Sequence, residues 1–318
     1  MSVASFRTAM SERRVHGRTA GLLALAGVIL CFSMGSTLVK LAHTPGITVA
    51  FWRMLLCSAI WLAILRATER RWLSVADLKA SLIPGIVFGL NIAFFFTGVT
   101  KTTVAAAEFT GALTPLLVVP LGVILFKEHV HLAALVWGVI SVIGLAIVLF
   151  NAPESGDFSW TGVAWVGFAM TLWATYLLTS RSLRQGRSVA VVMAHITPIA
   201  AVVTLPLALI VFPGSLTQVT WRSVVFIVIL GVLTGTGAHG LMVYAQKSVP
   251  IGVISMLQVS QPALAVLWSV LFLGAAVRGI QIVGMALVII GLAAVTVSTQ
   301  RNRDRLRKTN GELAGPTG

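Results

Sequence analysis

Two charged side chains, Arg53 and Glu108, stand inside long apolar blocks of this chain. A charge at bilayer depth costs roughly 2.5–3.5 kcal/mol on insertion scales, so it marks a candidate site for a solute, a proton or an ion pair. At a rise of 1.5 Å per residue, both would lie roughly 6–9 Å below the outer surface. They are close enough in depth to pair, and a pair costs less than two lone ions. Arg53 has a second reading, in which its long stem reaches the outer headgroups. Glu108 is too short for that. It reads as a solute or proton site, or as the partner of Arg53 or of a water-filled vestibule. If protons drive any movement across the bilayer, Glu108 is the leading acidic carrier.

Uncharged polar groups sit deeper. Asn91 is central in its block, Thr114 precedes Pro115, and Gln258 and Gln261 precede Pro262. The two glutamines, at i and i+3, share one helix face. A proline within a helix frees the carbonyl four residues earlier. Those carbonyls belong to Gly111 and Gln258. Two such helix breaks beside amides and a hydroxyl suit a solute site at the midplane; the plainer reading is helix-to-helix bonding. Trp173 could stack on a flat or cationic solute, or simply pack. His195 and His239 are candidate proton relays, or ordinary helix contacts. Tyr176 and Tyr244 read as interfacial aromatics, and Glu128, beside Lys127 and His129, as a solvated helix end. No carboxylate or Cys accompanies the two buried histidines, so no metal and no cofactor is expected.

The elements that must position these groups follow from composition. Of 318 residues, 57% are hydrophobic and 10% charged, with mean hydropathy +0.96. A soluble domain carries about 25% charged residues. The apolar residues form ten blocks, at 20–42, 47–66, 79–100, 104–126, 131–150, 160–180, 189–212, 222–243, 251–273 and 279–297. About 20 apolar residues cross about 30 Å of hydrocarbon as a helix. The blocks are too continuously apolar for barrel strands. The expected fold is therefore an all-α membrane protein of ten transmembrane helices. Cys31 and Cys57 lie within blocks and read as packed free thiols. Arg7, Arg13, Arg14 and Arg18 precede the first block as in a signal peptide, but the apolar run is long and an uncleaved helix is expected.

Charge sets orientation. With the N-terminus inside, the outer ends hold Lys40, Lys101, Arg222 and Arg278, and Arg53 is within a span. The other 18 of the 23 Lys and Arg then fall inside. That asymmetry places both termini in the cytoplasm. It also explains the net charge of +14 without nucleic acid. Residues 1–19 form a basic N-terminus, and 298–318 are expected to be a disordered basic tail.

The chain also repeats itself. VIGLAIV at 142–148 matches IIGLAAV at 289–295, and at the same offset Pro115 falls on Pro262 and Leu117 on Leu264. Five spans separate the copies, so the second enters from the opposite side, giving two inverted five-helix repeats, 20–150 and 160–297. His195 aligns with Arg53 if the second spans of each copy are matched. Gly85 and Gly89 in one copy, and Gly231 and Gly235 in the other, have the GxxxG spacing of close helix contact.

AFWR at 50–53, FFFTGVTKTTVAAAEFTGALTPLLVVPLGVILFKEHV at 94–130 and GLMVYAQKSVPIGVISMLQVSQPALAVLWSVLFLGAAV at 240–277 resemble EamA-type members of the drug/metabolite transporter superfamily. A short hairpin into span 4 and a proline in spans 4 and 9 carry the resemblance. The acidic residue that commonly closes spans 4 and 9 is Glu128 in the first and is replaced by Ala275 in the second. The resemblance implies alternating access and export of a small organic solute, amino-acid-like or amphipathic, across the inner or plasma membrane. Expected partners are that solute, membrane lipid and a coupling proton, with the protein a monomer or a homodimer. It is read as a transporter and not an enzyme. The rivals are a membrane-embedded lipid-modifying enzyme, for which His129 and His131 near Glu128 come closest, and a channel-like protein. A fluorescent reporter that matures only in the cytoplasm should light up after Gly318 and stay dark when inserted at 151–159; the opposite result would reverse the orientation.

Overall fold

The computed structural model describes residues 19–114, 116, 132–152, 158–180, 183, 186–211, 213–246 and 260–313. Those residues are helical with short connections, and no strand occurs among them. In chain order, α1 (Thr19–Leu41) is interrupted at Met34, and α2 is Gly46–Glu69. A short α3 (Val75–Ala80) leads into α4 (Leu82–Lys101) and α5 (Val104–Ala112). After these come α6 (Leu132–Phe150), α7 (Trp160–Thr179) and α8 (Val189–Val211). Next, α9 (Trp221–Ile229) runs through a π-helical segment, Leu230–Gly237, into α10 (Ala238–Gln246). Last are α11 (Gln261–Leu273) and α12 (Gly279–Leu313). Five stretches are long and apolar enough to cross a membrane, namely α1, α2, α4, Val189–Ile210 and Trp221–Met242.

Two boundaries differ from expectation. Lys79 and Ala80 belong to α3, which Ser74 caps by accepting the Asp77 N–H, so the long apolar helix of the third block begins at Leu82. The tail expected to lack structure from 298 is helical as far as Leu313. Arg, Lys and Leu are good helix formers, and α12 supplies a helix already nucleated.

Packing is backbone-close. A Cβ on Gly144 would stand 2.7 Å from the Gly284 carbonyl oxygen, and one on Gly291 would stand 2.8 Å from that of Trp137. Thus α6 and α12 touch at two levels where only glycine fits. Both GxxxG pairs do the same. Gly85 and Gly89 press on Ile199 and Ala200 of α8, and Gly231 and Gly235 on Leu56 and Cys57 of α2. Other pairings also come in matched sets. α4 lies on α7, while Leu25, Val28 and Ile29 of α1 pack with Ala245 of α10. The outer faces carry Val139, Ile143, Ile210, Val283 and Ile290 exposed, as surfaces toward hydrocarbon should.

Gly144→Ala should lower stability by about 1–3 kcal/mol, because the new methyl meets backbone that cannot rotate aside. Gly167→Ala, whose Cβ meets nothing within 4 Å, should be neutral or slightly stabilising. Thermal unfolding in detergent reads both. Equal midpoints would show that α6 and α12 are not in such contact.

Candidate functional site

Glu108 is only 6% exposed. Its carboxylate accepts a hydrogen bond from the Ser36 hydroxyl at Oε1 and a second from the Gln261 side chain. Ser36 is two residues past the interruption of α1 at Met34, and Ser33 is one residue before it. Ser33 donates to the Leu30 carbonyl at 2.9 Å and accepts from Trp268 Nε1 of α11 at 2.9 Å. The break in α1 is therefore bound on both sides, to α5 through Glu108 and to α11 through Trp268. A carboxylate, a hydroxyl and an amide meet there, able to hold an ammonium and a hydroxyl.

Arg53 does not pair with Glu108. It is 3% exposed, its Nη2 donates to Thr234 Oγ1 at 3.2 Å, and its guanidinium lies 5.3 Å over the Phe96 ring. Its Nε and Nη1 have no hydrogen-bond partner among the described residues. Depth alone suggested the pair, but the two helices aim these side chains at different neighbours.

Several expected site residues make helix contacts in this structure. Asn91 Nδ2 donates to the Ala169 carbonyl at 2.7 Å, tying α4 to α7. Thr114 Oγ1 donates to the Gly111 carbonyl at 2.7 Å. That is the carbonyl a proline at 115 leaves without its N–H, so Thr114 fills the gap expected to face a solute. Pro115 and Gln258 lie outside the described residues, as do Glu128, Lys127, His129 and His131. Pro262 opens α11 at its first turn, where its missing N–H breaks no helix bond. His195 is fully buried, with Nδ1 2.6 Å from the Val191 carbonyl and Nε2 accepting the Ser74 N–H at 3.1 Å. Both ring nitrogens are satisfied when Nδ1 holds the proton.

Trp173 and His239 belong to a row of rings. Trp173 lies 5.2 Å from Tyr176, which lies 4.9 Å from Phe88. Phe88 meets His239 at 5.8 Å and His239 meets Phe32 at 5.3 Å, both edge to face. The row crosses from α7 through α4 and α10 to α1. Tyr176, expected at an interface, is buried within it at 4% exposure. Tyr244 is half exposed.

Sequence reasoning missed two clamps. Asp77 accepts from Arg187 Nε at 2.9 Å and from Arg71 Nη1 at 3.3 Å, holding the start of α3 to the connection before α8. Ser223 is placed likewise at the start of α9. It shares 2.6 Å with the Thr44 hydroxyl and donates to the Ala42 carbonyl at 3.2 Å, holding the connection after α1. Ser74 and Thr220 are the caps, with Asp77 and Ser223 three residues on. That shared cap spacing was the available signal.

The scaffold can now be compared with known proteins. The EamA-like transporter family model matches residues 19–150 and again 160–297. The chain belongs to the EamA-like transporter family. It is a multi-pass membrane transporter. Among its relatives, the threonine/homoserine exporter RhtA of Salmonella typhimurium (strain SL1344) is 25% identical over 282 residues, covering 88% of this chain and 91% of the relative. The exporter of that name from Escherichia coli (strain K12) is 24% identical over the same shares. A solved crystal structure, 20% identical, shares the fold with a TM-score of 0.64 over 88% of this chain and 97% of its own.

The hydrogen bond from Arg187 holds the Asp77 carboxyl below its ordinary value. A depressed value adds stability above the unfolded pKa and loses it as pH falls through the folded one. Wild-type protein should lose thermal stability on going from about pH 5 to pH 3, by no more than about 1 kcal/mol for pairs this exposed. Asp77→Asn should be less stable at neutral pH and should lack this part of the acid loss. An unchanged acid profile in that variant would remove the clamp.

Proposed function

We propose that this chain is a secondary exporter of a small zwitterionic, hydroxyl-bearing amino acid, working by alternating access between two inverted five-helix copies. Ten spans with both termini in the cytoplasm are part of the same reading. Its supports are the family model matching twice, the matched helix pairings and the two relatives named for threonine and homoserine.

The observation that carries the reading is the Glu108 cluster. Ser36 and Glu108 come from the first match and Gln261 from the second, so one polar centre bridges both copies. A solute ammonium would take the place of Ser36 on the carboxylate, and Gln261 would hold its hydroxyl. Proton and solute then compete for Glu108. A proton from outside displaces the solute, and release of that proton inside restores the carboxylate. Each state is favoured by the ligand it binds better. Asn91, Thr114 and His195 act here as helix contacts. Trp173 and His239 belong to the aromatic row that joins α7, α4, α10 and α1.

Inside-out vesicles containing the wild type should accumulate labelled L-threonine when their lumen is acidic. Glu108→Gln, which mimics the protonated carboxyl, should lose both gradient-driven accumulation and threonine-for-threonine exchange, while Glu108→Asp should keep part of both. Full gradient dependence in that variant would refute proton coupling at Glu108. Absence of threonine movement in the wild type would refute the assigned solute.

A further inference from the structure

We infer that Arg53, with Thr234 of the π-helical segment, forms an anion site that receives a carboxylate. The assignment of that carboxylate to the exported amino acid rests on the exporter reading; the site itself does not.

The argument starts from an unbalanced charge. A guanidinium carries five N–H donors and no acceptor. Arg53 is 3% exposed and uses Nη2 on a neutral hydroxyl, while Nε and Nη1 meet no acceptor among the described residues. A buried ion without a counter-charge carries a desolvation penalty of several kcal/mol. The ion pairs found among the described residues both involve Asp77, which is held by Arg71 and Arg187. Glu108 is engaged with Ser36 and Gln261. The face of Phe96, 5.3 Å from the guanidinium, offers partial compensation and leaves the in-plane N–H groups free. Those N–H groups form the edge that a carboxylate meets with two oxygens.

The neighbouring helix is built to yield there. Leu230–Gly237, with the sequence LGVLTGTG, is π-helical. It passes so close that a Cβ on Gly235 would stand 3.4 Å from Arg53 Nε and 2.3 Å from Cys57 Sγ. Two of its carbonyls are bonded from outside the helix. Cys57 donates to Gly231 at 3.6 Å and Trp61 Nε1 to Gly235 at 3.5 Å. Inside it, Thr236 Oγ1 bonds to Gly231 five residues back, at 3.0 Å. A segment of this kind returns to an α-helix by shifting a few residues, and π turns recur at functional sites. Such a shift would carry Gly235 off Arg53 and open its free edge, while Thr234, whose hydroxyl donates to the Leu230 carbonyl at 2.8 Å, accepts from Nη2 and steadies the guanidinium.

The test uses the full chain in detergent, with unfolding followed by its nine tryptophans. Acetate is the minimal carboxylate, L-threonine the solute, L-threoninamide the same solute without carboxylate, and chloride the inorganic anion, all at one ionic strength. Acetate and L-threonine should each raise the wild-type midpoint by a few degrees. Threoninamide should fall well short of L-threonine. Arg53→Gln should abolish the rise with acetate, Arg53→Lys should keep part of it, and Thr234→Val should shrink it. An Arg53-dependent rise with acetate but none with L-threonine keeps the site and overturns the amino acid as its occupant. A rise with chloride that acetate does not exceed overturns the carboxylate assignment. Equal rises in wild type and Arg53→Gln, or no rise with any anion, overturn the site. If Arg53→Gln fails to fold, Arg53→Lys and Thr234→Val decide, and undiminished acetate responses in both overturn the proposal.

Discussion

Inside hydrocarbon a peptide group that leaves its helix has no water to turn to, and this constraint arranges the rest of the molecule. Three interruptions of helices among the described residues are met by side chains. At Met34, Ser33 bonds back to Leu30 while Ser36 reaches Glu108. Before position 115, Thr114 takes the Gly111 carbonyl. In the π-helical segment, Cys57 and Trp61 reach across from α2. Polar residues that look costly in an apolar chain thus do two jobs. Some repair the backbone, and among the described residues the Arg53 guanidinium is the buried ion whose Nε and Nη1 are left without an acceptor. By that criterion Arg53 stands apart from Asn91, Thr114 and His195.

The class of fold was legible because bilayer thickness fixes block length, and block length is a property of sequence alone. The helix-contact meaning of GxxxG was legible for the same reason, since glycine spacing is local. Side-chain partners were not. Arg53 and Glu108 share a depth, but depth says nothing of the direction in which each points around its helix. Ser36 was passed over because a serine in an apolar block is unremarkable until something pairs with it. The π-helical segment left no periodic trace that could be told from an ordinary helix. Tyr176 was misplaced because residue type predicts an average position, whereas Phe88 and Trp173 decide the actual one.

The two clamps relate the ends of the molecule to its centre. Asp77 and Ser223 occupy the third position of equivalent helix starts, and each grips the connection that precedes or follows a neighbouring helix. The grips differ in strength. Asp77 holds by charge, Ser223 by neutral hydroxyl contacts. The close glycine contacts between α6 and α12 make that pair a poor candidate for sliding, because carbonyls would collide before side chains could adjust. Motion is easier at the π-helical segment, where helical repeat can change without breaking the chain of bonds.

The unequal clamps have a consequence for energy balance. Two identical inverted copies would make the inward-facing and outward-facing forms mirror equivalents, equal in free energy and equally populated at rest. In this chain the copies have diverged at their charged positions. Arg53 falls opposite His195, Asp77 opposite Ser223, and Glu108 opposite Ser255. On the proposed alternating-access reading, divergence at these positions makes the two forms unequal, so the empty protein would have a preferred resting posture even before any gradient acts on it.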